Sequence, residues 1–320
     1  MSSIHAGWYL VAFTDVLQDD LTPIRIGDRR LMVVRDNASE HGYVVADSSC
    51  PHRGADLTAG GELRDGCVAC PFHGRLISVG EHPRRLSVAT YPTYIAGPLI
   101  FARLAHDPLG DNGFVETMDR LTQDKRIVTA VDRVVNVPVD FVVENAFDTE
   151  HFPTVHKVPS LAGMHTERRS EGTLIIGGDF LTVGDPWYDL RYARALQSYL
   201  QVGARDANRR SAFRATAFSP TVVLTAFGSG ADDPIILTGA LPTPDGTLVR
   251  VAVIGSSSHP LERIAEASRL AINQDTVVWE SIDPASAWTL DEQDANIVAY
   301  RDWVADFPLA QRNRPTRVVS

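Results

Sequence analysis

Cysteine is scarce in this sequence: its 320 residues include only three, at positions 50, 67 and 70. A disulfide framework needs more cysteines, spread over a longer stretch, and is therefore excluded. Thiols clustered within one short stretch favour metal binding in a reducing compartment. The sequence thus predicts a cytoplasmic protein in which cysteine binds a metal.

Long apolar runs and an excess of basic residues are also missing. No stretch of about 18 apolar residues occurs, which excludes a transmembrane helix, and the first residues lack the pattern of a secretory signal. Lys and Arg number 30 against 40 for Asp and Glu, which gives a net charge of −10. A chain with this charge lacks the basic surface that nucleic-acid binding requires.

The rest of the composition is ordinary for a globular protein, with 44% apolar and 22% charged residues, and the length is sufficient for two domains. We predict an all-β domain over residues 1–115 and an α+β domain over residues 116–320. Strands are predicted in the first domain at 8–13, 24–26, 31–34 and 43–47. The second domain is expected to combine strands at 127–137, 174–183, 222–227, 235–241 and 248–254 with helices at 140–151, 260–281 and 295–307.

Two short motifs in the first domain, Cys50-x-His52 and Cys70-x-x-His73, each combine one cysteine with one histidine. Each motif offers a thiolate and an imidazole from one tight loop, so the two loops together supply four metal ligands. Structural zinc sites use the same ligand types but usually have both cysteines in one arm. Mixed arms suit a [2Fe–2S] cluster in which cysteines hold one iron and histidines the other, and this spacing resembles the Rieske signature.

The third cysteine, Cys67, forms a Cys-x-x-Cys pair with Cys70, which would suit a redox dithiol or half of a zinc site. No second pair exists to complete a four-thiolate site. We therefore expect Cys67 to be a small buried residue in a strand.

A second motif lies near the start of the α+β domain. On the predicted helix there, Glu144, Asp148 and His151 would share one face, and Pro153 would break the helix so that His156 can return to His151. Two histidines and a distant carboxylate would form a facial triad that leaves positions open on Fe(II) for O2 and substrate. Taken alone, the same residues also suit surface charges and an ordinary core histidine.

With both motifs present, the chain resembles the α subunit of a Rieske non-haem iron oxygenase over essentially its whole length. The pattern Asn145-x2-Asp148-x2-His151-x4-His156 matches the iron motif of that family. The resemblance implies a Rieske domain followed by a catalytic domain of helix-grip (START-like) fold. It implies that His151 and His156 bind a mononuclear iron, that Asn145 lies near it, and that Asp148 bridges to a cluster histidine of a neighbouring subunit in a homotrimer.

The third iron ligand is implied to lie in the long helix near the C-terminus. The segment 273–280 resembles the part of the family in which an aspartate completes the triad, and Asp275 occupies the matching place. The competing carboxylates nearby are Glu266, Glu280 and Asp283.

The activity implied by the resemblance is O2-dependent hydroxylation of a bulky, mostly apolar cyclic substrate. Electrons would come from a separate ferredoxin or flavin reductase, so NAD(P)H would act only indirectly. Trp279 and residues 299–303 resemble the 3-ketosteroid 9α-hydroxylase branch over a short stretch. The alternative within the family is oxidative O- or N-demethylation of an aromatic substrate, and mono- and dioxygenation share the motif. The alternative outside the oxygenases is a Rieske electron-transfer protein without oxygenase activity.

Basic residues are concentrated near the two cluster loops of this acidic chain. An acidic ferredoxin would dock on them by charge complementarity, and a solvated basic face is the alternative reading. The residues are Arg53, Arg75, Arg84 and Arg85.

Overall fold

The computed structural model describes most of the chain. The described residues are 4–36, 42–79, 85–104, 110–156, 161–183, 208–230, 232–283 and 285–310. No helix among them is long and apolar enough to cross a membrane.

The N-terminal region consists of three small antiparallel sheets, as the all-β prediction required. The described strands are β1 (Gly7–Phe13), β2 (Leu21–Ile26), β3 (Arg29–Arg35), β4 (Tyr43–Asp47), β5 (Glu62–Arg64), β6 (Cys67–Ala69), β7 (Leu76–Ser78), β8 (Thr90–Tyr91), β9 (Thr93–Ala96) and β10 (Leu99–Leu104). The strand orders are β1-β10-β9, β2-β3-β4-β8 and β5-β6-β7. Each strand of the third sheet is three residues long, and the second cysteine–histidine loop connects its strands β6 and β7.

The C-terminal region is built on one antiparallel seven-stranded sheet of order β11-β17-β16-β15-β14-β13-β12. Its strands are β11 (Arg126–Val135), β12 (Leu161–Arg168), β13 (Leu174–Val183), β14 (Asn208–Ser219), β15 (Val222–Phe227), β16 (Ile235–Thr243) and β17 (Gly246–Gly255). The described helices are α1 (Phe114–Thr122), α2 (Val139–Glu144), α3 (His151–Val155), α4 (Leu261–Trp279) and α5 (Ala295–Ala305). The predicted α+β architecture is confirmed.

The long helix α4 packs across the sheet because its buried residues recur at helical spacing. Leu261, Ile264, Ser268, Asp275 and Trp279 are all buried, at intervals of three, four, seven and four residues. These positions form one stripe, and that stripe faces the core between the helices and the sheet. The same stripe therefore brings the Asp275 carboxylate into the interior.

The helix predicted at 140–151 is wrong as a single element, because two short helices replace it. The helix α2 ends at Glu144, and α3 begins at His151. Between them, Oδ1 of Asp148 accepts hydrogen bonds from the main-chain N–H groups of Glu150 (3.0 Å) and His151 (3.3 Å). A short polar side chain that binds nearby N–H groups in this way competes with the helical hydrogen bonds.

Two details of that prediction change with it. Glu144 does not share a helix face with Asp148 and His151; its carboxylate instead accepts two hydrogen bonds from Arg301 on α5, at 2.6 and 2.8 Å. Pro153 does not break a helix. It is the third residue of α3, in the first turn, where proline is tolerated because that N–H has no helical partner.

The remaining differences lie in strands, in boundaries and in helix α1, which was not predicted. Strands β12 and β14 were not predicted, and the predicted helices at 260–281 and 295–307 are each slightly shorter in the structure. Residue 115, the predicted domain boundary, lies within α1, whose residues Phe114 and Met118 pack against Trp8 and Leu10 of β1. The division at 115 stays a prediction.

Phe147 anchors the segment between α2 and α3. Its side chain is fully buried and stacks on Tyr300 of α5, with ring centroids 5.0 Å apart. We expect Phe147→Ala to lower the free energy of unfolding by about 3–5 kcal/mol, since it leaves a cavity in the core. Urea unfolding measures the change. Phe147→Leu is the control and should cost clearly less; equal costs for the two variants would contradict this anchoring role.

Candidate metal centres

The two cysteine–histidine loops have the same main-chain geometry. The N–H of Cys50 donates to the carbonyl of Ala55, and the N–H of Cys70 donates to that of Arg75, both at 2.8 Å. In each loop the N–H of the glycine four residues after the cysteine closes a second bond of 2.8 Å to the cysteine carbonyl. The two loops therefore have equivalent main-chain turns.

Both closing glycines have a backbone that other residues rarely adopt. Gly54 and Gly74 have φ angles of +77° and +65°, although a Cβ at either position would meet nothing within 4 Å. The requirement for glycine is therefore conformational, because an L side chain is strained at positive φ. This explains why each motif ends in glycine.

The cysteine and histidine side chains of the two loops lie at different depths below the protein surface. The thiols of Cys50 and Cys70 are buried in the core cluster that also contains Leu57 and Ile77. The imidazoles of His52 and His73 lie further out, with ring centroids 5.0 Å apart and planes at 69°. The site therefore has a sulfur side facing the core and a nitrogen side facing outward.

The loops favour a thiolate at Cys70 and a neutral imidazole at His52, whereas burial raises the pKa of the Cys50 thiol. Burial by itself raises the pKa of the Cys70 thiol, but the main-chain N–H of Phe72, the Cys50 thiol and the N–H of His73 outweigh it, and the pKa is lowered. Desolvation and the nearby charge of Arg75 lower the pKa of His52 and keep its imidazole neutral. These are the protonation states that bind metal.

Cys67 lies outside this arrangement. It belongs to β6, where it pairs with Ser78 of β7, and only 1% of it is exposed. The structure therefore agrees with the expectation of a small buried strand residue.

The second site assembles from three elements of the C-terminal region. His151 begins α3 and His156 directly follows it, whereas Asp275 comes from α4 across the interior. The candidate ligand atoms of these three side chains all lie within 4.8 Å of one another. The side chains are also buried, with 9%, 3% and 4% of each residue exposed. The structure thus brings the three residues of the predicted triad together.

Each imidazole of this His–His–Asp site is held by its Nδ1 atom and directs Nε2 towards the other ligands. Nδ1 of His151 lies 2.5 Å from the main-chain oxygen of Asp148, and Nδ1 of His156 lies 3.0 Å from Oε1 of Gln274. Nε2 of His156 lies 3.2 Å from Oδ1 of Asp275. The amide Nδ2 of Asn145 is 3.3 Å from both Nε2 of His151 and Oδ2 of Asp275.

The charges of the site fit a bound cation. Burial lowers the pKa of His151, so its imidazole is neutral. Burial alone would lower the pKa of His156 as well, but the hydrogen bond and charge of Asp275 outweigh this effect and raise it. A buried carboxylate needs a positive partner. The raised pKa of His156 reflects this attraction, and a metal ion would supply the positive charge in the same place.

The competing carboxylates are placed differently. Glu266, Glu280 and Asp283 are all exposed, and Glu280 accepts a hydrogen bond from the N–H of Asn136 at 3.1 Å. Asp148 is also outside the group: its carboxylate is 31% exposed and lies 3.9 Å from Nδ1 of His151. The assignments of Asp275 as a ligand and of Asp148 as a bridging residue stay predictions.

Sequence reasoning missed two residues that support this site. Gln274 contacts His156, and Arg301 pairs with Glu144 while its guanidinium lies 4.4 Å from the ring centroid of Trp288. Neither residue has a partner at a recognisable spacing. Only the position of Gln274 beside a predicted ligand could have drawn attention to it.

Two cavities meet at the His–His–Asp site. The inner one, of about 120 Å³, lies between the helices and the sheet, and is lined mainly by apolar side chains with Thr225 and Thr238 on its sheet side. The second, of about 210 Å³, lies towards Asp148 and Arg301. Asn145, His151 and Asp275 line both cavities, so the site faces each of them.

Comparison with known proteins identifies the N-terminal region. Residues 7–92 match the family model of the Rieske [2Fe–2S] domain. Cholesterol 7-desaturase of Caenorhabditis elegans is 35% identical over 101 residues, which cover 27% of this chain and 23% of that protein. Aminopyrrolnitrin oxygenase PrnD of Pseudomonas fluorescens is 37% identical over 68 residues, which cover 21% of this chain and 18% of that protein. The chain thus spans less than a third of the length of either relative.

Solved structures match almost the whole chain. Dicamba monooxygenase bound to 3,6-dichlorosalicylic acid superposes with a TM-score of 0.72 at 17% identity, covering 95% of this chain and 97% of that one. Pseudomonas putida CBB5 NdmA with caffeine gives a TM-score of 0.67 at 17% identity, covering 94% and 90%. The chain has the fold of a Rieske oxygenase α subunit. The resemblance stated from the two motifs is thereby confirmed.

The cofactors of such a subunit fit the residues present. The Rieske domain implies a [2Fe–2S] cluster, and the paired loops offer the two thiolates and two imidazoles that it requires. Rieske oxygenases also contain a mononuclear iron. The His–His–Asp site offers two imidazole nitrogens and one carboxylate within 4.8 Å of one another, which is the ligand set of such an iron. The positive charge of the iron would also balance the buried carboxylate.

Proposed function

We propose that this Rieske protein is the terminal oxygenase component of a multicomponent system and catalyses O2-dependent hydroxylation of a mostly apolar cyclic substrate. The observation that carries the proposal is the His–His–Asp site, which opens onto an apolar cavity in the same chain as a Rieske domain. An electron carrier has no need for buried ligands that face a cavity. The carrier alternative is therefore disfavoured.

The protein side chains of the site have distinct tasks in this proposal. The cluster supplies electrons one at a time, and the iron supplies open positions for O2. His151, His156 and Asp275 would hold the iron, and the apolar cavity that they line would take the substrate. Asn145 donates an amide N–H to Oδ2 of Asp275 at 3.3 Å and would help to hold that carboxylate in place.

The cavity selects its substrate mainly by exclusion of water. Its sheet wall is formed by Phe213, Val223, Phe227, Ile236 and Val251, and the helices close it from the other side. Such a cavity favours an apolar ring system, and the hydroxyl of Thr225 or Thr238 could form a hydrogen bond with one polar substituent of the substrate.

Oxidative demethylation of an aromatic substrate is the second candidate. One relative, the chloroacetanilide N-alkylformylase oxygenase component of Rhizorhabdus wittichii, is 33% identical over 67 residues. Removal of an alkyl group begins with the same oxidation of a C–H bond, so the site described here would serve either outcome.

The assembly that we propose is a cytoplasmic homotrimer that receives electrons from a ferredoxin or flavin reductase. Phe72 is 60% exposed beside His73 at the outer end of the Rieske domain. An apolar rim surrounds the cavity near Asp148, where Val278, Ile282, Trp288 and Leu290 are each 38–42% exposed. Exposed apolar surfaces of this kind mark contact sites between proteins, and burial of both between neighbouring subunits would place Asp148 at the proposed bridge.

The electron donor is expected to be acidic. Arg53, Arg75 and Arg85 are exposed in the Rieske domain, and Arg53 lies 5.8 Å from the ring centroid of Phe72. Arg84 lies outside the described residues. Positive charge near the cluster loops would attract an acidic ferredoxin to this domain.

The test measures iron content and O2 uptake on the purified protein. We expect about three irons per chain, two in the cluster and one in the His–His–Asp site. With NADH and a generic reductase, O2 uptake should rise on addition of one class from a panel of steroids, aryl ethers and polycyclic amines. Mass spectrometry with ¹⁸O2 should then find label in the hydroxylated product or in the released alkyl fragment.

The electron carrier predicts a different result. It requires about two irons per chain, and O2 uptake that no member of the panel changes. That combination would overturn the proposed function.

A further inference from the structure

The imidazole of His156 is held at both nitrogens by consecutive residues of α4. Oε1 of Gln274 lies 3.0 Å from Nδ1, and Oδ1 of Asp275 lies 3.2 Å from Nε2. The other histidine of the site is held differently, because the Nδ1 of His151 contacts the main-chain oxygen of Asp148. A side-chain substitution can therefore remove the Nδ1 contact of His156 directly.

We propose that Gln274 is a positioning residue that fixes the ring orientation and tautomer of His156 for metal binding. A carboxamide oxygen can only accept a hydrogen bond, so Nδ1 must carry the proton that it receives. The lone pair of the neutral imidazole is then on Nε2, the atom that faces His151 and Asp275. This inference rests on the proposed function, since it assumes that the His–His–Asp site binds a metal.

The turn of α4 that carries Gln274 is itself fixed to the sheet. Arg133 of β11 donates to Oδ1 of Asn273 at 2.6 Å and to Oγ1 of Thr276 at 2.7 Å. These two residues flank Gln274 and Asp275 in the sequence. The position of the glutamine oxygen is therefore set by a clamped helix turn.

A neutral acceptor suits this position better than a charged one. Asp275 is only 4% exposed and already provides a negative charge at the ring. A second carboxylate would add a further buried charge without a partner. Glutamine supplies the required acceptor at no such cost, while Gln274→Glu would keep the acceptor and so serves as the conservative variant.

The experiment uses the full chain with its cluster intact and oxidised, freed of mononuclear iron and titrated with Co²⁺. We expect Gln274→Leu to weaken Co²⁺ binding roughly 10–100-fold, the usual effect of losing a residue that orients a ligand. The EPR spectrum of bound Co²⁺ should also change, because the imidazole is no longer held in one orientation. Calorimetry gives the affinity, and the visible spectrum of the cluster reports that the variant is folded.

Three further variants make the result decisive. Gln274→Glu keeps the acceptor, so it should retain the wild-type EPR spectrum and bind Co²⁺ more tightly than Gln274→Leu does, which a merely structural role would not require. Glu266→Leu removes an exposed polar side chain from the same helix, outside the clamped turn, and should leave the affinity unchanged. His156→Ala should abolish binding.

The two proposals fail in different ways. If wild-type protein does not bind Co²⁺ in a manner that depends on His156, the metal site and the proposed function are overturned together. If His156→Ala abolishes binding while Gln274→Leu retains the wild-type affinity and spectrum, only the role of Gln274 is overturned.

Discussion

Replacement of Asp275 by alanine is expected to abolish substrate-dependent O2 uptake and to lower the iron content from about three to about two per chain. The carboxylate is buried and lies 3.2 Å from Nε2 of His156, where it supplies the only negative charge of the His–His–Asp group. Two neutral imidazoles alone hold iron weakly. Iron analysis together with the visible spectrum of the cluster measures the change, since the cluster should be unaffected.

Alanine variants of the neighbouring carboxylates are the matched controls. Glu266 and Glu280 belong to the same region of the chain as Asp275 but are exposed. Their replacement should leave both iron content and O2 uptake at wild-type values. Loss of the mononuclear iron from either control, with retention in Asp275→Ala, would assign the third ligand elsewhere.

Asp148→Ala is expected to lower turnover at least roughly 100-fold while both metal sites stay occupied. Its carboxylate fixes the start of α3 through the N–H groups of Glu150 and His151, yet remains 31% exposed at the cavity rim. The residue thus fixes the position of His151 and leaves part of its carboxylate exposed for the proposed contact with a neighbouring subunit. Steady-state O2 uptake and iron analysis on the same preparation measure the effect.

Asp148→Asn separates the two roles. Asparagine keeps the side-chain oxygen that accepts from the two N–H groups but removes the charge. An inactive asparagine variant with full iron content supports a role for the charge in transfer between subunits. Full activity of Asp148→Ala would contradict the bridging role.

The cluster loops could be predicted from the sequence because each is a local motif. The ligands of one loop are two or three residues apart, and the closing glycine is four residues from the cysteine. Hydrogen bonds within such a short segment fix its geometry almost independently of the rest of the chain. The same locality made the pair of His151 and His156 recognisable.

The helix at 140–151 could not be predicted correctly because the side chain of Asp148 competes with the helical carbonyl groups for the same main-chain N–H groups. The residues favour helix by pattern, and the side chain of Asp148 then captures the N–H groups that a continuous helix would use. Strand β14 was missed for another reason. Phe213, Ala215 and Ala217 are buried and alternate with the exposed Arg214, but alanine contributes too little hydrophobicity to mark a strand.

Gln274 lay beyond sequence reasoning altogether. A single glutamine in an amphipathic helix has no distinguishing pattern, and its partner His156 is remote in the chain. Asp275 was predictable only through the family resemblance, because several carboxylates compete for its place. Contacts between distant segments require the fold before they can be named.

The separation of α3 from α4 has a consequence for the lifetime of the protein. Strands β12 to β17 lie between the two helices in the chain, so an ion held by His151, His156 and Asp275 would tie together segments that only the folded sheet brings close. Such an ion binds the folded chain and not the unfolded one, and at a hundred times its dissociation constant it adds about 2.7 kcal/mol of stability. Iron supply would then govern how long the folded chain survives proteolysis, as well as whether it can act.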